Sequence, residues 1–315
     1  MIGAAVLIAL VQVMLFLFLA PLLVGVMRQV RSRLEGRVGS GIWQPWRDVR
    51  KLLRKAPVRA RDSSWILSIG PLALLLSSLL LCVLLPLVGA LDVPWISSDL
   101  FVIVSVMLLG VVALALVGLD AGTAFGGMGS SRHMTVAALV EPTVLLAVYA
   151  LSIPAGTSSL SVIVGTRLRV PSEIISPVSV LALVALAIAI MAETGRLPVD
   201  NPSTHLELTM MHEAMVLEGS ARDLAWLEVG SWIKLAVLLG LLGNLAAPWG
   251  IVTEVTVGSV LLGVAAITLK VLLLGVALSV GEVFLAKARL FRVPELLAGS
   301  FALGLLAVTA SYLVA

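Results

Sequence analysis

Charge is scarce in this chain. Of its 315 residues, 12% are Asp, Glu, Lys or Arg and 60% are hydrophobic. Soluble domains carry about 25% charged residues, and the mean hydropathy here is +1.13. That balance excludes a soluble globular class and indicates an integral membrane protein. Cysteine is scarcer still. The single Cys82 lies in an apolar run, so no intrachain disulfide can form. An iron–sulfur cluster needs about four thiolates, and a nickel–iron centre held by four cysteines has the same need. This chain alone holds neither, so any redox centre belongs to a partner. Cys82 itself reads as a small packed side chain. Alternating ten-residue strand patterns are missing too, which argues against a membrane β-barrel.

What is present is a series of apolar runs near the length that crosses the hydrocarbon as helix. The first, Ile2 to Met27, lacks a basic leader and is too long for a cleaved signal, so it reads as a retained helix. The expected fold is an all-α integral membrane protein, one polytopic domain over residues 1–315 with eight transmembrane helices. They fall at about 2–27, 65–90, 99–119, 134–154, 177–197, 226–247, 252–281 and 295–315. Pro21, Pro86 and Pro142 fall within these spans, where they can kink them. No internal repeat stands out, which weakens a common secondary-transporter fold.

Basic residues set the expected topology. Eleven of the 21 Lys and Arg lie between Arg28 and Arg61, and the connections 91–98 and 248–251 carry none. Both termini are therefore expected outside, with the long basic loop in the cytoplasm. This clustering also explains the pI of 9.3 without nucleic acid. Within the loop, Trp43 to Lys55 reads as an amphipathic helix. Pro45 suits its first turn. Trp46, Val49 and Leu53 share one face, while Arg47, Arg50, Lys51 and Arg54 point elsewhere. Such a helix suits anionic lipid at the cytoplasmic interface, or a soluble partner.

Ionisable residues inside spans are costly and point to function. Here they are Glu141, Glu193, Lys234, Lys270 and Glu282. At 1.5 Å per residue, Glu141 and Lys234 lie roughly 10 Å, and Lys270 roughly 16 Å, from the cytoplasmic ends of their spans. The pattern describes a polar inlet from the cytoplasm that stops partway. Two readings compete: buried Glu–Lys pairs that lock helices, and a hydrated proton path reaching sideways to a neighbour. After Glu193 comes an acidic stretch with Arg196, Asp200, His205, Glu207, His212, Glu213 and Glu218, the expected mouth of that path. No zinc signature such as H-E-x-x-H and no P-loop is present. The glycines of "GLDAGTAFGGMGSSRH" (118–133) suit close backbone packing or a hinge.

Five motifs taken together are specific: "RVGSGIWQPWRDVRKLLRK", "GLDAGTAFGGMGSSRHM", "VEPTVLL", "AETGRLPVDNPSTHLELTMMHEAMVLE" and "ARLFRVPELL". They span nearly the whole chain. The chain resembles the complex I membrane subunit that adjoins the quinone chamber, nearest the hydrogenase-4, formate hydrogenlyase and energy-converting [NiFe] hydrogenase branch. The resemblance implies a non-catalytic membrane subunit. It would dock a soluble hydrogenase-like and iron–sulfur arm and couple electron transfer to proton or Na⁺ movement in antiporter-like subunits. By motif, Glu141 and Glu193 match membrane acids of that family. Asp200 and Glu207 match its acidic loop, and Arg196 the basic residue after Glu193. Val38, Gly39 and Ser40 replace its usual Arg-Gly-Pro, and Ser203 and His205 stand where complex I has acids. The resemblance therefore leaves quinone binding open. The expected coupling path is Glu141, Glu193, Asp200, Glu207, Lys234, Lys270 and Glu282. The expected docking or cavity residues are Arg196, His205, Glu213, Arg47 and Arg50. The competing function is a stand-alone proton-coupled carrier.

Overall fold

The computed structural model describes residues 2–58, 63–90, 98–200, 211–254, 256–285 and 292–314. Among the described residues the regular structure is helical, with two isolated bridges, Gly89–Val252 and Asp99–Ser159. The helices are α1 (Ile2–Leu34), α2 (Gln44–Arg54), α3 (Ile66–Leu84), α4 (Leu100–Asp120), α5 (Ala124–Ser152) and α6 (Leu160–Arg169). A short 3₁₀ turn (Pro171–Glu173) precedes α7 (Pro177–Glu193), α8 (His212–Val216), α9 (Ala221–Ala246), α10 (Val257–Phe284) and α11 (Val293–Val314). Seven of these, α1, α3, α4, α5, α9, α10 and α11, are long and apolar enough to cross a membrane. The chain is a multi-pass membrane protein. α7 is apolar but has only 17 residues, about 25 Å of helix.

Several boundaries differ from the sequence reading, each for a local reason. The span expected at 65–90 ends as helix at Leu84, and Pro86 lies beyond it. Proline lacks an N–H and forces the residue before it out of the helical region, and Leu85 is extended at ψ 138°. The backbone that follows is satisfied by side chains from neighbouring helices. Gln12 on α1 donates to the carbonyls of Cys82 and Leu85 and accepts from the Val88 N–H. Asn244 on α9 donates to Pro86 O and Leu87 O at 2.9 and 2.8 Å. Irregular backbone at membrane depth is tolerated where protein supplies such partners.

The connection expected at 120–133 is mostly helix, because α5 begins at Ala124 with the Thr123 hydroxyl capping the Gly126 N–H. Glycine disfavours helix by about 1 kcal/mol per residue, but here it permits contact. A Cβ on Gly126 would lie 2.2 Å from Gly118 O, and one on Gly129 would lie 3.0 Å from Met211 O. α9 starts at Ala221 rather than 226. α10 starts at Val257, behind a Thr256–Ser259 capping box, rather than 252. The short α6, bearing Arg167 and Arg169, was not expected at all.

α9 is the central helix, with α1, α2, α3, α7 and α10 packed around it. Gly230 lets the α3 backbone approach, since a Cβ there would lie 3.1 Å from Leu75 Cα. A second group forms around α5, against α4, α7, α8 and α11. α7 touches both α5 and α9. Its last turn, carrying Glu193, is thereby wedged between the two groups. α2 forms within the stretch read as an amphipathic helix, with Pro45 buried in its first turn and Trp46 against Phe18 at 5.4 Å.

Candidate functional site

The site begins with how α7 ends. Gly195 adopts φ +60°, a conformation glycine accepts without strain. The Arg196 N–H then reaches Met191 O at 2.8 Å and the Gly195 N–H reaches Ala192 O at 3.2 Å. This is the Schellman closure of a helix C-terminus. It fixes Glu193 in the last helical turn and turns Arg196 away from the helix. Glu193 faces Lys234 on α9 at 2.5 Å, and the two side chains are 1% and 9% exposed. Arg196 faces the buried Glu282 of α10 at 3.5 Å. Two ion pairs, three residues apart on one chain turn, therefore join α7 to α9 and α10.

Asp200 ties the next turn. Its Oδ2 accepts the N–H groups of Met211 and His212 at 3.0 and 3.1 Å. Those are among the orphan donors at the start of α8. One buried carboxylate thus bridges both ends of the stretch that carries His205 and Glu207; these two residues lie outside the described residues. His212 is half-buried, and its pKa is lowered from 6.5 to about 4, chiefly by burial. Lys234 and Arg196 add to that lowering, and Asp200 opposes it. Burial, then Glu228 and Asp200, push the Glu213 carboxyl above its usual value, against the pull of Arg28.

These groups line a chamber of about 490 Å³. Its walls bring in residues the sequence reading did not single out. Arg28 and Arg31 come from the last turns of α1, Glu35 from just past its end, and Glu228, Ser231 and Trp232 from α9. Arg28 pairs with Asp48 of α2 at 3.6 Å and lies 5.8 Å over the Trp232 ring. Half of the lining residues are ionisable, and Val24, Met27, Trp232 and Leu235 are the apolar ones. Ligand sites for apolar rings and tails are mostly apolar. The described lining suits water and ions.

The remaining expected residues divide. Glu141, on α5, lies within electrostatic reach of Glu193 and Lys234, and its Oε1 is buried without a hydrogen-bond partner. Lys270 does not join the cluster. Its ammonium donates to Asn244 Oδ1 at 2.9 Å, and Asn244 stands ten residues past Lys234, about 15 Å along α9 and away from the chamber. Arg47 and Arg50 are exposed on α2 with Lys51 and Arg54, and Lys55 follows just past its end. Arg167 is a further group not foreseen. It is buried on α6, donating to Leu245 O at the end of α9 and to Ser179 Oγ on α7. Gln12, Asn244 and Arg167 were legible only as isolated polar letters in apolar surroundings.

Fold and site together define a multi-pass membrane protein with a polar chamber at one end of a buried acid–base cluster. The chain matches the NADH dehydrogenase family over residues 6–312 and belongs to that family. It is 33% identical to "Hydrogenase-4 component C" of Escherichia coli (strain K12), over 97% of this chain and 95% of that one. It is 30% identical to "Formate hydrogenlyase subunit 4" of the same organism, over 96% and 97%. To an NADH-quinone oxidoreductase subunit of Syntrophotalea carbinolica it is 28% identical, over 70% of each chain. In fold it is similar to a chain of the membrane-bound sulfane sulfur reductase, an archaeal respiratory membrane complex. The TM-score there is 0.85 at 17% identity, covering 98% of this chain and 99% of that one.

Proposed function

We infer that this chain is the membrane-anchor and coupling subunit of a complex I-like redox complex of the hydrogenase-4 or formate hydrogenlyase type. It docks a soluble electron-transfer arm and links redox chemistry to proton or Na⁺ translocation in neighbouring antiporter-like subunits. The cofactors of electron transfer, iron–sulfur clusters and a nickel–iron centre, belong to the partner subunits. The observation that carries this reading is the connection between chamber and cluster: Arg196 and Asp200 line the chamber, and Glu193, three residues before Arg196, is buried against Lys234. A charge change in the chamber is felt by buried acids, because opposite charges in a low-dielectric interior interact strongly.

In this reading α7 is an eighth crossing, both termini face outward, and the chamber opens to the cytoplasm of a cell-membrane protein. The exposed cations of α2, Arg47 and Arg50 included, face anionic lipid and the docked arm. Glu141, Glu193, Asp200, Glu207, Lys234, Lys270 and Glu282 form the coupling path. His205 and Glu213 stand at the docking side.

Two measurements test it. A tag on this chain should bring down iron–sulfur and antiporter-like subunits, and the purified chain alone in liposomes should conduct no protons. Proton flux through the isolated chain would instead make it a stand-alone carrier. In the assembled complex, Glu141→Gln and Glu193→Gln should each lower the ions moved per electron by about tenfold or more. Normal pumping by both assembled variants would overturn the path.

A further inference from the structure

His133 belongs to no assigned role, yet its surroundings are unusual. It lies on α5, 9% exposed, and its Nε2 is buried without a hydrogen-bond partner. Buried polar groups are nearly always satisfied, so an orphan nitrogen calls for an explanation. The titratable groups within its electrostatic reach come from two different elements: Lys234 of α9 and His212 of α8. His212 lines the chamber, whereas Lys234 holds Glu193 in the buried pair. Eight residues further along α5, about 12 Å of rise, Glu141 feels the same Lys234 and Glu193. The pair is thus flanked on α5 by an imidazole on the chamber side and a carboxyl on the far side. α8 comes this close to α5 because Gly129, one turn before His133, leaves room for Met211 O and Ala214.

We propose that His133 is the proton relay between the chamber and the Glu193–Lys234 pair. This rests on the coupling role argued above. A neutral imidazole accepts a proton at one ring nitrogen and releases the proton on the other, so each passage leaves the ring neutral. No co-reactant is needed. The donor is a protonated water of the chamber, directly or through the His212 ring, which takes up one proton as it passes one on, and the acceptor is the Glu193 carboxylate of the pair. Glu141 then receives the proton further along α5. His133 acts on protons only and touches no redox centre.

The test uses the whole complex, purified from its membranes through this chain and reconstituted in liposomes. Reduced methyl viologen supplies electrons, and an entrapped pH dye reports proton movement. His133→Gln should lower the protons moved per electron by about tenfold, with a larger solvent deuterium isotope effect on proton movement than in wild type. If electron flow and proton movement instead fall together at an unchanged ratio and isotope effect, His133 is a packing residue and the proposal is overturned. His133→Asn serves as a second variant, and failure of both to assemble has the same meaning. Glu193→Gln separates the two levels. If it lowers the ratio while His133→Gln does not, the relay fails and the coupling role stands. If neither changes the ratio, the coupling role fails and the relay with it.

Discussion

Glu193 and Lys234 meet at 2.5 Å with almost no surface left to water. Such a pair says little about net stability, because desolvation offsets the attraction. Removing one partner is different, since it leaves a buried charge uncompensated at about 3–5 kcal/mol. Glu193→Gln and Lys234→Met should therefore each lower the unfolding temperature of the detergent-solubilised chain. The double variant should recover most of the loss, its cost falling well below the sum of the two single costs. Simple additivity would show that the two side chains do not support each other. His212 makes a separate prediction through pH. Its pKa is about 4 in the folded chain against 6.5 ordinarily. Below pH 6.5 the unfolded chain takes up a proton that the folded chain refuses, so stability falls as pH drops from about 6.5 to about 4. Above pH 6.5 this contribution is fully present. Its size is on the order of 1–2 kcal/mol for a half-buried ring. Unfolding temperatures across pH 4–7 should show a slope in wild type that His212→Gln flattens, and an equal slope in both would remove His212 as its source.

At the scale of elements, the end of α7 decides where the ionisable groups point. Gly195→Ala puts a Cβ where the nearest atom is His212 Cβ at 3.6 Å, ordinary contact, so only the φ of +60° is strained. The expected cost is about 1 kcal/mol. It falls on the turn that aims Glu193 and Arg196, so coupling should suffer more than stability. A variant with wild-type coupling would mean that the turn does not set the geometry. The apolar runs made the long helices legible in the sequence, because a bilayer demands them and little else produces them. Their ends were less legible, and the misreadings share one cause. Hydropathy marks where apolar residues lie, while helix ends follow backbone hydrogen bonding. α5 runs on through its polar, glycine-rich start because those glycines pack against Gly118 and α8. α3 stops inside an apolar run because Pro86 ends it, and Gln12 and Asn244 take up the carbonyls of Leu85 and Pro86 beyond its end. Neither partner amide can be inferred from the sequence around residue 86.

For the whole molecule, charge inside apolar runs pointed to Glu193, Lys234 and Glu282, and the fold brings these and Arg196 together. It did not reveal that Lys270 would answer to Asn244 instead, since pairing depends on which helices are neighbours. Nor did it reveal Arg28 or Glu228, whose letters look like ordinary ends of spans until the chamber closes around them. The placement of these groups relative to the two faces of the membrane follows from one count. With α7 crossing, the number of spans is even and the termini share a side; without it they lie on opposite sides. In the proposed topology the basic residues of 28–61 hold their loop in the cytoplasm under the positive-inside rule, which puts Met1 outside. In that topology the short α7 crosses with α5 and α9 packed against it, and a local thinning of the bilayer would accommodate its length. Alkaline phosphatase, active only outside the cytoplasm, should therefore be active when fused after Ala315, whereas green fluorescent protein fused there should be dark. The same phosphatase inserted after Lys55 should be inactive. Fluorescence at the C-terminus together with an inactive fusion at Lys55 would give seven crossings. It would turn α7 into a re-entrant helix, and Glu193 would then approach the membrane from the opposite face to the one that the chamber requires.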